Sequence, residues 1–266
     1  MLNEIVDSKR KELEEIKTLV SKESLVKKIE KTPEARDFKG ALKKRGEKDT
    51  VRIIAEIKKA SPSYGKFTSN FLQKNSPGSI AAIYEESGAS AISVLTDNKY
   101  FSGLPKYLLE AKKNTRIPIL RKDFIFDEYQ IYESKIMGAD AILLIVSILP
   151  VEKLKSFIKL ISALKMNALV EVRDSEEVKK ASDAGAEIIG INNRNLTTMK
   201  VDINKTPELA GFINPDVILV SESGINRREQ VMMLEDKAGI DAILVGTALV
   251  TNEDPRRKIR ELKGEF

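Results

Sequence analysis

A repeating alternation of short apolar runs and amphipathic stretches is the feature that most constrains this chain of 266 residues. The apolar runs predict eight strands, at residues 51–57, 91–95, 117–121, 141–146, 167–172, 188–191, 217–220 and 242–245. The amphipathic stretches predict helices between and after them, at residues 78–87, 104–113, 127–137, 151–164, 175–184, 206–212, 227–235 and 255–263. Eight such units predict an α/β protein, a (β/α)8 TIM barrel rather than an open doubly wound sheet.

The strand compositions support a parallel sheet that is covered on both faces. The run 141–146, AILLIV, is apolar at every position, as is typical of strands packed beneath helices on each side. Glycine follows several predicted helices, at Gly88, Gly138, Gly185 and Gly239, where it tolerates the left-handed backbone that ends a helix. No G-x-G-x-x-G motif follows the first strand, which disfavours a dinucleotide-binding sheet.

About fifty residues precede the first predicted strand. Apolar residues recur at helical spacing through 3–20, and a weaker helical pattern covers 24–31. We therefore expect a helical N-terminal extension (1–50) that docks on the barrel (51–266), in a single domain overall. The first residues lack the apolar core of a signal peptide, and no apolar run approaches the roughly 18 residues of a membrane helix, so we expect a cytoplasmic protein.

The chain contains no cysteine and no histidine, which narrows the chemistry that it can perform. Thiolate chemistry and imidazole acid–base catalysis are excluded, as are metal sites built from these ligands. Acid–base steps must fall to carboxylates and lysines with shifted pKa values. The net charge is +5, with 45 basic and 40 acidic residues interspersed, which suits an anionic metabolite better than nucleic acid.

Charged residues end several predicted strands, where a parallel barrel places its active site. Glu56 and Lys58 share one strand face, either as a surface ion pair or as a pair that meets a ligand. Lys122 is either a strand-end partner of Asp123 or an active-site lysine, and Glu171 is either a solvated carboxylate or an active-site acid. Further polar residues end strands 6 and 7: Asn192, Arg194 and Glu222.

Two glycine-containing loops predict an anion site. Ser223-Gly224 follows strand 7 and Gly246-Thr247 follows strand 8, each at the start of a helical segment. Backbone N–H groups at such positions bind anions, and in barrels these two loops are the usual phosphate position. Ser61, after strand 1, is placed to reach the same anion. Each dipeptide alone is more typical of an ordinary turn or helix cap, but both together at these two loops favour a phosphate site.

Seven segments in register extend this pattern: AEIKKASPS (55–63), SVLTDNKYFSG (93–103), ILRKDFI (119–125), LVEVRD (169–174), IGINNRNL (189–196), SESGI (221–225) and ILVGTALV (243–250). Together they resemble the indole-3-glycerol phosphate synthase family of tryptophan biosynthesis. The resemblance covers about residues 45–252 strongly and the N-terminus loosely. It implies a carboxy-lyase that closes the pyrrole ring of 1-(2-carboxyphenylamino)-1-deoxyribulose 5-phosphate, losing CO2 and water, without metal or cofactor.

The resemblance also implies roles for individual residues. Lys122 would be the general acid of ring closure, and Glu171 the acid or base of dehydration. Lys58 would hold the substrate carboxylate, Glu56 would orient the lysines, and Asn192 would position hydroxyl groups. The phosphate would be bound by Ser61, Ser223, Gly224, Gly246 and Thr247. The ring would be walled by Phe101, Phe124 and Leu196, with Arg194 and Glu222 close by. We expect burial and neighbouring cations to lower the pKa of the site lysines, and desolvation to raise that of the glutamate.

Two positions depart from the family pattern. Tyr64 stands where a basic residue often follows SPS, and Arg173 stands where histidine often follows VEV. We expect the first change to alter phosphate binding and the second to lie outside catalysis. The segment 68–79 also fits the pattern poorly.

The sequence leaves three alternatives open. Phosphoribosylanthranilate isomerase and the tryptophan synthase α chain share the two phosphate loops, although the isomerase needs a cysteine. A catalytically inactive barrel that senses a phosphorylated metabolite is the second, and nucleic-acid binding by the N-terminal helices is the third. We expect a phosphorylated anthranilate-derived substrate, no membrane or nucleic-acid partner, and a monomer; association with other tryptophan-pathway enzymes stays open.

Overall fold

A closed, eight-stranded parallel barrel forms the centre of the protein. The computed structural model describes residues 1–44, 46, 49–195 and 198–265. Neighbouring barrel strands pair in chain order, and the first strand closes the barrel on the last. The strands are β1 (Arg52–Ile57), β2 (Ala91–Leu95), β3 (Ile119–Lys122), β4 (Ala141–Ile145), β5 (Asn167–Val172), β6 (Ile188–Asn192), β7 (Ile218–Glu222) and β8 (Ala242–Val245). The predicted (β/α)8 barrel is thereby confirmed.

Helices surround the barrel and precede it. They are α1 (Leu2–Leu19), α2 (Lys22–Ile29), α3 (Phe38–Leu42), α4 (Asn70–Lys74), α5 (Pro77–Glu86), α6 (Asn98–Phe101), α7 (Pro105–Asn114), α8 (Glu128–Ile136), α9 (Val151–Ala163), α10 (Ser175–Asp183), α11 (Lys205–Ala210), α12 (Arg228–Ala238), α13 (Thr247–Val250) and α14 (Pro255–Lys263). A short hairpin pairs Ala60–Ser61 with Gly65–Lys66, and a 3-10 turn covers Val146–Ile148. In the described part of the chain, no helix combines the length and the apolar character needed to cross a bilayer.

Burial of the strands on both faces follows from their apolar sequences. All residues of β2, β4, β6 and β7 are buried, which removes every one of these side chains from water. Each large apolar side chain buried in this way contributes about 1.5–3 kcal/mol. The carboxylates of Glu56, Glu171 and Glu222 lie at or near the carboxyl ends of otherwise apolar strands, so the barrel concentrates its buried acids at one end.

The N-terminal extension contacts the barrel at its amino-terminal end through the segment that contains α3. Phe38 and Leu42 are completely buried there. The backbone N–H of Arg36 donates to Asp140 Oδ1 at 2.6 Å, just before β4. The backbone N–H of Lys39 donates to Asn167 Oδ1 at 3.2 Å, where β5 begins. Since the active site of a parallel barrel lies at the carboxyl ends of its strands, these contacts at the opposite end anchor the extension without occupying the site.

Candidate active site

A cavity of about 440 Å³ opens at the carboxyl ends of the strands. It is lined by nearly all of the residues that the sequence singled out: Glu56, Lys58, Ser61, Phe101, Lys122, Phe124, Glu171, Asn192, Arg194, Ser223, Gly224, Gly246 and Thr247. Glu222 is fully buried and reaches the site through its contact with Lys122. Leu196 lies outside the described residues. The barrel therefore brings residues from seven separate loops and strands to one place.

Lys122 lies at the centre of the charged part of the cavity. Its ammonium group is 3.0 Å from Glu222 Oε2 and 3.2 Å from Glu56 Oε2. Lys58 contacts the other oxygen of Glu56, with Nζ 2.8 Å from Oε1. The two side chains therefore point the same way, as predicted, although Lys58 follows the last residue of β1. The alternative prediction, an ion pair between Lys122 and Asp123, is wrong. Asp123 forms an ion pair with Arg121 instead, at 3.1 Å.

The pKa values of Glu56 and Lys122 follow from this alternation of lysines and carboxylates. Burial alone would raise the pKa of Glu56, but the ammonium groups of Lys58 and Lys122 outweigh it and hold the pKa at about 2. Burial alone would lower the pKa of Lys122, but Glu222, Glu56 and Glu171 raise it well above the usual range. The lowered lysine pKa that we expected is therefore wrong for Lys122, since its neighbours are carboxylates rather than cations.

Glu171 has the opposite environment from Glu56. Burial and the charge of Glu222 raise its pKa to about 7, while Lys122 and a hydrogen bond with Asn192 oppose the rise only in part. The raised pKa expected for this glutamate is confirmed. A carboxyl group that titrates near neutrality exists in both protonation states, so it can donate or accept a proton in one reaction cycle.

Two glycines make room for the buried carboxylates. A Cβ atom added to Gly246 would lie 2.1 Å from Glu56 Oε1, and one added to Gly190 would lie 2.1 Å from Glu222 Oε1. Real Cβ atoms do not approach other heavy atoms so closely. Gly246 was predicted for the phosphate loop, whereas Gly190 was missed. A glycine inside an apolar strand was its only signal, because such glycines mark a close approach by another group.

Aromatic and aliphatic side chains form the apolar part of the cavity. The rings of Phe101 and Phe124 lie with their centroids 6.1 Å apart. Leu2 and Ile5, from the first turns of α1, also line the cavity, so the extension contributes to the site. Sequence reasoning missed this contribution, because the helical spacing of Leu2 and Ile5 is equally typical of any helix that packs on a core.

The predicted anion loops contribute hydroxyl groups and a helix start to the same cavity. Ser223 and Gly224 both have positive φ, 69° and 86°, which forms a tight turn after β7. A Cβ atom on Gly224 would also lie 2.4 Å from Val201 Cγ1. Helix α13 begins directly after Gly246, so the N–H groups of its first turn, which a helix itself cannot pair, lie beside the cavity. This arrangement suits a phosphate group.

Tyr64 and Arg173, which depart from the family pattern, make contacts within the protein. The Tyr64 ring stacks on Phe67 with centroids 4.5 Å apart, and Lys58 Nζ lies 5.8 Å from the Phe67 centroid. Tyr64 thus supports the loop that borders Lys58 rather than supplying a charge. Arg173 pairs with Glu177, at 2.7 Å, which is in line with the expected position outside catalysis.

Comparisons with known proteins agree first on the fold. The structure of 3-hexulose-6-phosphate synthase from Salmonella typhimurium superposes with a TM-score of 0.63 at 14% identity, covering 80% of this chain and 97% of that chain. A tryptophan synthase α-subunit from Pyrococcus furiosus gives a TM-score of 0.58 at 17% identity, covering 81% and 98%. At these identities the likeness shows the barrel alone.

Sequence relatives are far more specific. A protein from Chloroherpeton thalassium named indole-3-glycerol phosphate synthase is 46% identical over 252 residues, covering 95% of each chain. One of the same name from Thermoanaerobacter pseudethanolicus is 44% identical over 265 residues, covering 100% of this chain and 98% of the relative. The family model described as indole-3-glycerol phosphate synthase matches residues 2–262. The chain therefore belongs to the indole-3-glycerol phosphate synthase family, the carboxy-lyases of tryptophan biosynthesis.

Proposed function

We propose that this site closes the pyrrole ring of 1-(2-carboxyphenylamino)-1-deoxyribulose 5-phosphate, with Lys122 and Glu171 as the proton-transfer groups. The observation that carries the proposal is the position of Lys122, which two buried carboxylates hold at 3.0 and 3.2 Å beside a third with a pKa near 7. This arrangement fixes a cation where negative charge develops and keeps a separate group ready for a second proton transfer.

Ring closure is the step that we assign to Lys122. The aromatic carbon that bears the carboxylate attacks the ketone carbon, and the ketone oxygen takes a proton from the Lys122 ammonium as the carbon–carbon bond forms. The carboxylate then leaves as CO2, and its bonding electrons return to the ring. An ammonium with a raised pKa stays protonated until a strong base such as the developing alkoxide arrives.

Dehydration is the step that we assign to Glu171. The new hydroxyl group leaves as water after it gains a proton, and the adjacent carbon loses one, so that one water is released overall. With a pKa of about 7, Glu171 is available as the acid for the hydroxyl group or the base for the carbon-bound proton. The hydrogen bond with Asn192 orients the carboxyl group for this role.

Binding of the substrate divides among three parts of the cavity. We assign the anthranilate carboxylate to Lys58, with Arg194 as a second cation, and the ring to Phe101 and Phe124. We assign the phosphate to the loops after β7 and β8, together with Ser61. All these groups line one cavity, which suits a substrate with an aromatic ring at one end and a phosphate at the other.

Product formation tests the assignment directly. Indole fluorescence reports the product with little background, because the chain has no tryptophan. We expect wild type to form product, and Lys122→Met and Glu171→Gln each to lose activity about 100-fold or more. Lys179→Met is the matched control, because Lys179 is an exposed residue of α10 that pairs only with Asp183 among the described residues. The control should keep full activity.

The contrary result is equally clear. If folded wild type binds the substrate but forms no product, the chain is a phosphate-binding sensor rather than an enzyme. If wild type is active and both variants keep more than about a tenth of its kcat, the reaction stands but the residue assignments fall.

We also propose that the enzyme acts as a cytoplasmic monomer. The residues assigned to the substrate all line one cavity of a single chain, which supports this proposal. The substrate is a phosphorylated metabolic intermediate, which supports a cytoplasmic location. Light scattering at the assay concentration should give the mass of one chain, 29.7 kDa. Activity per chain that falls on dilution would contradict the proposal.

A further inference from the structure

Lys9 is a buried cation that belongs to the N-terminal helix α1 and contacts the barrel. Only 5% of the residue is exposed. Its ammonium group lies 3.1 Å from Asp97 Oδ2 and 3.4 Å from Asp123 Oδ1, and it also contacts Glu12 at 2.9 Å. Burying an ammonium group is costly unless it is paired, so these contacts determine where this part of α1 lies.

The first aspartate holds the loop that carries Phe101. Asp97 Oδ1 accepts a hydrogen bond from the N–H of Tyr100 at 2.9 Å, which caps α6. The carbonyl oxygen of Asp97 accepts another from Gly103 at 2.8 Å. Phe101 is the last residue of α6, between these two bonds. The position of Asp97 therefore sets the position of the Phe101 ring.

The second aspartate holds the backbone next to Phe124. Asp123 Oδ1 accepts a hydrogen bond from the N–H of Phe124 at 2.9 Å. Its other oxygen accepts from Thr96 at 2.5 Å and from Arg121 at 3.1 Å. Asp123 also directly follows Lys122 in the sequence. Both aspartates are almost completely buried, 2% exposed each. Little water therefore screens the interaction of their charges with the Lys9 ammonium group.

We propose that Lys9 is a positioning residue that holds together the two loops bearing the aromatic walls of the substrate pocket. Without its charge, two buried carboxylates would face each other across the gap that Lys9 fills, and Arg121 contacts only Asp123 of the pair. The loops would then separate, and the Phe101–Phe124 gap would widen. The proposal rests on the proposed function, because that function assigns this pocket to the aromatic ring.

The consequence is selective within the substrate. The ring pocket depends on Lys9, whereas the loops after β7 and β8 lie on other elements and keep their own contacts. Loss of the Lys9 charge should therefore weaken binding of a ligand that carries the ring and leave binding of a bare glycerol phosphate unchanged. A merely structural role would weaken both or neither.

The experiment compares two ligands in four proteins: wild type, Lys9→Met, Lys9→Arg and Lys17→Met. Lys17 is the matched control, because it lies on the same helix and pairs with Asp127 of the loop that carries Phe124, at 2.9 Å. Its other ion pair among the described residues is with Glu14 of its own helix, so Lys17 does not join the two aromatic loops. Indole-3-glycerol phosphate is titrated by its own fluorescence, and glycerol 3-phosphate by competition against it. For Lys9→Met we expect the Kd for the indole ligand to rise about tenfold and that for glycerol 3-phosphate to stay unchanged.

Lys9→Arg keeps the cation and should retain most of the affinity for the indole ligand, and Lys17→Met should retain all of it. Equal changes for both ligands in Lys9→Met, or no change for either, would overturn the proposal. If Lys9→Met does not fold, Lys9→Gln takes its place, with the same selective loss expected. A wild type that binds both ligands but forms no product would contradict the proposed function alone and leave the binding comparison valid.

Discussion

At the scale of single residues, the three buried carboxylates of the site differ because their contacts differ. Glu56 and Glu222 each have a carboxylate oxygen within 3.2 Å of Lys122 Nζ, whereas Glu171 is hydrogen-bonded to the side-chain amide of Asn192. A nearby cation favours an ionised carboxylate, and an apolar or like-charged environment favours a protonated one. One fold thus keeps Glu56 ionised and makes Glu171 titrate near neutrality, which separates their chemical roles.

The raised pKa of Glu171 predicts a pH-dependent cost in stability. Its pKa is about 7 in the folded protein, against 4.5 for an ordinary glutamate. Between these pH values the folded protein binds more protons than the unfolded chain, so stability falls as pH rises. Glu171→Gln cannot ionise and avoids this cost. Denaturant unfolding should show the variant gaining about 2 kcal/mol relative to wild type between pH 5 and pH 8.

The comparison at pH 5 serves as the internal control. At that pH Glu171 of the folded wild type is mostly protonated, and the glutamine side chain of the variant carries no charge, so neither protein has a charge at this position. A difference in unfolding free energy that is the same at pH 5 and pH 8 would contradict the raised pKa. The same variant should be nearly inactive. Glu171 would then be a residue that catalysis requires although it lowers the free energy of unfolding.

Sequence reasoning at this scale succeeded where the chain itself sets the geometry. Glu56 and Lys58 were predicted to share a face from their spacing alone, and they contact each other. The pKa of Lys122 was predicted wrongly, because its partners Glu56 and Glu222 come from distant strands and their distances follow only from barrel closure. Gly190 was missed for the same reason. Only glycine fits at this position because the carboxylate of Glu222, thirty-two positions later in the sequence, packs against it.

At the scale of elements, long regular segments were predictable and short ones were not. The eight strands lie where the apolar runs predicted, although β3 begins two residues late, after Pro118, which cannot donate to a strand ladder. Helices α3, α4 and α6 were missed because four or five residues carry no readable period. Each begins at a side-chain cap, from Asp37, Ser69 and Asp97 respectively. Caps of this kind were the signal that periodicity could not provide.

Docking of the extension at the amino-terminal end of the barrel gives an element-scale prediction. Asp140 is completely buried, and its Oδ1 atom accepts from the N–H of Arg36 at 2.6 Å and from Lys112 Nζ at 2.5 Å. Its Oδ2 atom accepts from the N–H of Ile119 at 2.8 Å. Asp140→Asn leaves Lys112 without its partner charge, so the free energy of unfolding should fall by about 2 kcal/mol. Urea titration measures this loss.

The same variant should keep the wild-type kcat at a temperature where it is folded, because Asp140 lies at the end of the barrel opposite to the cavity. Glu187→Gln is the matched control: its ion pair with Lys39, at 2.7 Å, joins the same extension to the barrel, but both side chains are exposed. Its stability should change by less than about 0.5 kcal/mol. An Asp140→Asn variant that unfolds like this control would refute the anchoring role.

At the scale of the whole molecule, the barrel was predictable and the path of the extension was not. Counting eight strand–helix units was enough to predict closure, because a parallel sheet of that size closes with helices outside. The extension contacts both ends of the barrel, with Leu2 and Ile5 at the cavity and Phe38 at the other end. Its route depends on particular long-range contacts, such as those of Lys9 and Arg36, that no local pattern encodes.

Net charge gives the prediction that belongs to the whole molecule. The chain carries +5, and the proposed substrate carries a phosphate and a carboxylate, so the field of the protein attracts the substrate. Salt shortens the range of that field from about 30 Å at 0.01 M to about 3 Å at 1 M. We expect kcat/KM to fall roughly tenfold across this range, because the charge excess is modest. At saturating substrate kcat should stay nearly constant, since the buried ion pairs around Lys122 are screened much less.

Repeating the series with sodium chloride and with potassium acetate separates screening from competition by one anion for the phosphate loops. A kcat that falls in parallel with kcat/KM would instead mean that salt reaches the charged centre of the cavity.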